Sequence, residues 1–268
     1  MSADQTSPIL EDELRAANEI VYKHSLELAR LKKELETVNA QQENLLHFIS
    51  HEVKGFLTEG QNAFAGIIEG DYGKPPPQMT ILARDALQKM RTGVETVMNI
   101  LDASNLKKGT VSYKKQPYNF ATLLENAAKV LRPKTVEKNL AMSLNIDADG
   151  KYDATGDREK IEQHVVRNLI DNAIRYTPSG SIAISLSAGD GKIRFSIKDT
   201  GVGISDEDKA KLFTEGGHGK DSIKVNVDST GYGLFIAKQV TEAHGGTIRA
   251  ESEGAGKGSE FIVELPLV

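Results

Sequence analysis

Hydrophobic residues recur every seven positions between residues 11 and 50. One set comprises Leu14, Val21, Leu28, Leu35 and Ile49, with polar Gln42 in the same register. A second set, three residues on, comprises Ala17, His24, Leu31, Val38 and Leu45. Charged side chains such as Glu27, Arg30, Lys32, Lys33, Glu34 and Glu36 fill the other faces. A repeat sustained this long predicts a parallel coiled coil, in which Gln42 and His24 weaken the seam but help fix its register. The helix should run on through Phe48, Val53, Phe56 and Leu57 towards Ile67 and Ile68. Glycine and proline then break it at Gly70-Asp-Tyr-Gly-Lys-Pro-Pro-Pro77. A second helix carries Ala83, Leu87, Met90, Val94, Val97 and Leu101 at heptad spacing and should stop near Lys107-Lys-Gly109. Such a hairpin cannot bury its apolar stripe alone. Two copies can, as a four-helix bundle, so a homodimer is expected.

From Val111 the pattern becomes alternating strands and helices. Strands are predicted over 111–116, 141–146, 181–188, 192–198, 247–252 and 260–266. Helices are predicted over 120–137, from a cap at Asp157 to about Tyr176, and over 231–244. The fold class is therefore α+β: a coiled-coil helix leads into a dimeric four-helix bundle, followed by an α/β sandwich with helices on one face of a mixed sheet. The expected domains are 1–44, a coiled-coil signal helix; 45–109, the helical hairpin; and 110–268, the α/β domain.

Composition narrows the function classes. The chain has 268 residues, 39% hydrophobic and 26% charged, which is ordinary for a globular protein. A formal charge of −5 argues against non-specific nucleic-acid binding. The absence of cysteine excludes disulfides and thiolate chemistry and fits a reducing, cytoplasmic compartment. No run of about 18 apolar residues is present, so no membrane contact is expected within this chain. A membrane-bound parent protein trimmed to its cytoplasmic part would read the same way.

Three segments carry candidate chemistry. Asn168 and Asn172 stand four apart on a predicted helix, so both amides project from one face. Neutral amide oxygens can complete the shell of a magnesium ion whose other ligands are triphosphate oxygens and water. Two asparagines on one helix face need a reason, because asparagine is a poor residue for a helix interior. Asp199 ends an apolar strand and enters Thr-Gly-Val-Gly203, where a carboxylate can accept from an adenine amino group. Glycines Gly201 and Gly203 let the backbone come close to a flat base, although Asp-x-Gly is also a common plain turn. Ser229-Thr-Gly-Tyr-Gly-Leu234 precedes an apolar helix, and its free N–H groups form an anion cradle. It is not a Walker loop, because no Lys-Ser/Thr follows. Residues 213–229, with Gly216, Gly217 and Gly219, read as a lid that brings Lys220, and either His218 or Lys224, near the phosphates; a plain surface loop is the alternative for those three side chains.

Together with Ser50-His51-Glu52 upstream, these segments resemble, in order and separation, the sensor histidine kinases of two-component systems. The resemblance covers roughly residues 45 to 268. It implies a Bergerat-type ATP-binding domain that phosphorylates a histidine on the helical hairpin, with ATP and Mg2+ as cofactors. It further implies that Asn172 holds the magnesium, Asn168 supports it, Arg175 contacts phosphate and Tyr176 packs on the nucleoside. Thr230, Gly231, Gly233 and Leu234 are implied in the phosphate loop, and Lys220 in the lid. The partner implied is a response-regulator receiver domain on a separate chain. Whether a subunit phosphorylates itself or its partner stays open.

Of the six histidines, only His51 has the family's context, Phe48-Ile-Ser-His-Glu-Val-Lys54. It falls outside both seam sets, which leaves its ring for solvent. Neutral His51 is the expected nucleophile and Glu52 the base or polariser. The family usually continues with Thr or Asn and then Pro, whereas this chain has Gly55 and Phe56. The missing Thr or Asn implies weak phosphatase activity. Two other readings compete: an ATPase machine of the same nucleotide fold, which would usually place a glutamate base where Asn168 stands, and a dimeric scaffold that binds nucleotide without transferring phosphate.

Overall fold

A computed structural model describes residues 7–107, 111–217 and 231–268. The expected helix stop at Lys107-Lys-Gly109 therefore falls partly outside the described residues, and most of the proposed lid wholly outside, including His218, Lys220, Lys224, Ser229 and Thr230. The chain divides between Phe56 and Leu57 into two compact units.

Helix α1 spans Ser7–Glu69 and carries the heptad repeat. Within the first unit its seam residues face solvent: Leu28 is 67% exposed and Leu35 62%. This apolar row is uncovered among the described residues. Helix α2 spans Pro77–Lys107 after a turn in which Gly70 and Gly73 take positive φ. In the second unit the end of α1 lies close to α2: a Cβ on Gly93 would stand 3.0 Å from Leu57, and one on Gly60 3.2 Å from Met90.

The α/β portion follows the period-2 pattern closely. Strands β1 (Gln116–Asn119), β2 (Ala141–Ile146), β3 (Asp153–Gly156), β4 (Ser181–Gly189), β5 (Lys192–Asp199), β6 (Thr247–Glu251) and β7 (Ser259–Pro266) form two sheets. The main sheet has five strands in the order β2-β4-β5-β7-β6, with β2 and β4 parallel and the rest antiparallel. Ile182, Ile184 and Leu186 on β4, and Ile193, Phe195 and Ile197 on β5, point to one face and are fully buried. That face is covered by helix α3 (Phe120–Glu137) through Phe120, Leu123, Leu124 and Ala127. A continuous helical stretch covers the rest: α4 (Arg158–Lys160), a π-helical segment Ile161–Arg167 and α5 (Asn168–Tyr176). A short α6 (Asp206–Lys209) and α7 (Gly233–Ala243) complete the helices among the described residues. Asn119 caps α3 by accepting from Thr122 N–H, and Asp157 caps α4 by accepting from Lys160 N–H.

The structure corrects the sequence reading in three places. Residues 111–115 are irregular, and the strand begins only at Gln116. Its partner is β3, too short and too polar to be predicted. The helix bearing the asparagines contains a π-helical stretch, which shifts the phase between its cap and Asn168.

Candidate nucleotide-binding site

Alternation along β5 decides where Asp199 goes. It continues the inward series Ile193, Phe195, Ile197 and so lies on the core face at the end of the strand, 4% exposed. A buried carboxylate needs donors. Gly201 N–H donates to its Oδ1 at 2.8 Å, and the Ser259 hydroxyl donates to its Oδ2 at 2.5 Å. Ser259 stands opposite Asp199 in the β5–β7 register, so the ladder itself supplies this donor.

On α5, Leu169, Ile170, Ala173 and Ile174 are buried, which fixes the helix rotation and turns Asn168 and Asn172 to the other side. Asn172 Nδ2 donates to Asn168 Oδ1 at 3.3 Å, and Asn168 Nδ2 donates to the His164 carbonyl at 3.3 Å. The turn before α7 closes over this pair. A Cβ on Gly233 would lie 2.7 Å from Asn168 Oδ1, so any larger residue would push the Asn168 amide back.

These groups border one cavity of about 280 Å³. Asn168, Asn172, Arg175, Tyr176, Asp199, Gly203, Gly231, Gly233 and Leu234 all line it. Gly201 does not, and acts instead through its N–H on Asp199. Thus nine residues singled out from sequence converge on one cavity. Lys220 and Thr230 lie outside the described residues. Sequence reasoning missed Ser259, although Gly-Lys-Gly-Ser259 was a visible turn before the last strand. It also missed Glu95 and Asn99 of α2, which line the same cavity and which no local signal marks. Nearby, Asp102 Oδ2 stands 3.7 Å from His164 Nε2, and burial holds the His164 imidazole below its ordinary pKa.

The donor set suits a phosphate-bound cation. Among the described residues no group of three or more His, Asp or Glu side chains is placed to hold a metal. On α5 the amides of Asn168 and Asn172 stand beside a glycine turn at a helix start, with Arg175 on the same wall and the Asp171 carboxylate paired with Lys134 at 2.7 Å, which fits a cation carried in with phosphate oxygens. In the first unit, His51 and Glu52 are exposed, with His51 Nδ1 3.6 Å from Glu52 Oε1. That distance is too long for a hydrogen bond, and the pair is a loose contact on an exposed face.

Residues 156–268 match the family model described as "Histidine kinase-, DNA gyrase B-, and HSP90-like ATPase". Sensor protein GacS of Pseudomonas syringae pv. syringae is 28% identical over 273 residues, covering 100% of this chain and 29% of that protein. The chain is similar to sensor histidine kinases along nearly its whole length. Circadian input-output histidine kinase CikA of Synechococcus elongatus is 25% identical over 262 residues, covering 96% of this chain and 34% of its own. The chain thus spans about a third or less of the length of these relatives. Among solved structures, Acinetobacter baumannii histidine kinase AdeS superposes with a TM-score of 0.56 at 25% identity, covering 81% of this chain and 98% of that one. Full-length ShkA in complex with AMPPNP shares the fold, with a TM-score of 0.66 at 23% identity over 83% of this chain and 45% of its own. These likenesses bear out the expected fold class of a helical N-terminal region followed by an α/β nucleotide-binding domain. No helix among the described residues is long and apolar enough to cross a membrane.

Proposed function

We propose that this chain is an ATP-dependent autokinase that phosphorylates His51 and passes the phosphoryl group to an aspartate of a response-regulator receiver domain. The observation that carries the reading is the convergence of Asn168, Asn172, Arg175, Asp199 and the Gly231–Gly233 turn on one cavity. The domains are 1–44, the signal helix; 45–109, the dimerisation and phosphotransfer hairpin; and 110–268, the ATP-binding domain. The working state is a homodimer joined through the exposed α1 seam and the bundle.

Each residue has a role that its position supports. Asp199, held at both oxygens, accepts from the adenine amino group and so selects the base. Its bond from Gly201 and its bond from Ser259 fix the carboxylate before the nucleotide arrives. Tyr176 packs on the nucleoside, and Arg175 offsets charge on the phosphates. The N–H groups from Gly231 to Leu234 cradle the phosphate tail at the start of α7. Asn172, supported by Asn168, would hold a magnesium ion, whose chemistry is to neutralise charge on the triphosphate.

At the acceptor, Glu52 favours the tautomer with its proton on Nδ1, which leaves the Nε2 lone pair for attack. Nε2 bonds to the γ-phosphorus as the bond from phosphorus to the β,γ-bridging oxygen breaks, and ADP leaves with that electron pair. The imidazolium charge that develops is offset by Glu52, which can take the Nδ1 proton. The test is labelling of His51 from γ-labelled ATP in cavity variants. Asn172→Ala and Asp199→Asn should each lower labelling about tenfold or more; full labelling in both would remove this cavity from the reaction.

A further inference from the structure

Residues 111–115, the joining segment that leads into the ATP-binding domain, are fastened around Asp157, which is also the cap of the nucleotide helix. Asp157 makes four bonds there. Its Oδ1 accepts from Lys160 N–H at 3.1 Å, and its carbonyl accepts from Ile161 N–H at 3.0 Å, which starts the helical stretch leading to Asn168. Its Oδ2 accepts from Lys114 N–H of the joining segment at 3.0 Å. Its own N–H donates to His244 Nε2 at 2.8 Å. His244 is 7% exposed and donates from Nδ1 to the Val240 carbonyl at 2.7 Å, at the end of α7. Accepting on one nitrogen and donating from the other fixes it as the neutral Nδ1–H tautomer. The joining segment also packs on this histidine: Tyr113 meets its ring edge-on at 5.1 Å and 83°, and Lys115 Nζ donates to the Ala243 carbonyl at 3.2 Å. Gly156 is required beside it, since a Cβ there would stand 2.5 Å from the His244 ring.

One carboxylate and one imidazole thus tie together the joining segment, the first turn of the asparagine-bearing helix and the end of α7. The opposite end of α7 begins at the Gly233 turn over Asn168. Neither Asp157 nor His244 borders the nucleotide cavity. We infer that Asp157 and His244 are positioning residues, through which the bond from the Lys114 N–H sets the pose of Asn168 and Asn172 and hence the affinity for nucleotide. Displacing the joining segment strips Oδ2 of its donor and shifts the cap that holds Lys160. Among the described residues Asp157 Oδ2 has no second donor to take up the lost bond, so the change passes along the two helices that end at the cavity. Movement of the hairpin is thereby read by the nucleotide site without any direct contact with nucleotide.

The inference rests on the reading of Asn168 and Asn172 as nucleotide ligands. The test uses the full chain and a fluorescent ATP analogue with magnesium, measuring the dissociation constant and the melting midpoint. Lys114→Pro deletes the N–H donor, and Lys114→Ala keeps it. Lys114→Pro should bind about five- to tenfold more weakly at a nearly unchanged melting midpoint, with Lys114→Ala matching the parent. Tyr113→Ala, which removes the ring from His244, should weaken binding in the same direction. Equal affinity for Lys114→Pro, Tyr113→Ala and parent would overturn the coupling. Asn172→Ala separates the two claims: if it binds as tightly as the parent, the assignment of the cavity itself fails; if it loses binding while Lys114→Pro does not, only the junction fails.

Discussion

Gly233→Ala probes the contact on which the phosphate loop and the asparagine pair depend. The added methyl group would lie 2.7 Å from Asn168 Oδ1, 3.0 Å from its Nδ2 and 3.2 Å from its Cγ. Ordinary contact begins near 3.4 Å, so the amide must retreat by about 0.7 Å. The Asn172–Asn168 bond is already 3.3 Å long and does not survive that shift. Losing it costs about 1 kcal/mol, and about 1.4 kcal/mol is a factor of ten in affinity. Binding of a fluorescent ATP analogue should therefore weaken about five- to tenfold. The fold should not suffer, because alanine is favoured over glycine in a helix by up to about 1 kcal/mol. In an Asn168→Ala background the clash is gone, and Gly233→Ala should cost little more. An unchanged dissociation constant, or the same loss in both backgrounds, would refute the reasoning.

Three further outcomes follow. Ser259→Ala removes the donor to Asp199 Oδ2 and should weaken the ATP analogue about tenfold, a loss that Ser259→Thr avoids by keeping the hydroxyl; equal binding by both would contradict it. Burial first, and the Lys115 charge as well, hold the His244 imidazole below its ordinary pKa of 6.5. Its stabilising contribution is complete above that value and is lost as pH falls through the depressed one, so the urea midpoint should fall on acidification, and less so in His244→Gln. A Cβ at Gly55 meets nothing within 4 Å, so Gly55→Thr is accommodated and should raise phosphatase activity towards a phosphorylated receiver domain; no change would refute the link between this position and that activity.

Local pattern carried the reading wherever one face of an element is buried. The heptads gave α1 and α2, and the alternation of β5 placed Asp199 on the core face because the side-chain period is two. The i, i+4 spacing put Asn168 and Asn172 side by side, as their mutual bond now shows. Misses arose where tertiary contact overrides pattern. Residues 111–115 alternate like a strand, yet Tyr113 is used against His244 and the Lys114 N–H on Asp157. The four residues of β3 offer no apolar run, and their strand character comes from pairing with β1. Ser259 is set by the register of two strands distant in sequence, and Glu95 and Asn99 reach the cavity only because α2 lies beside it.

Every role assigned above depends on transfer of the γ-phosphoryl group from ATP to His51. Incubation with γ-labelled ATP and magnesium should place acid-labile, alkali-stable label on the parent chain and none on His51→Gln. Equal label on both, or ATP binding with no label on the parent, would contradict it.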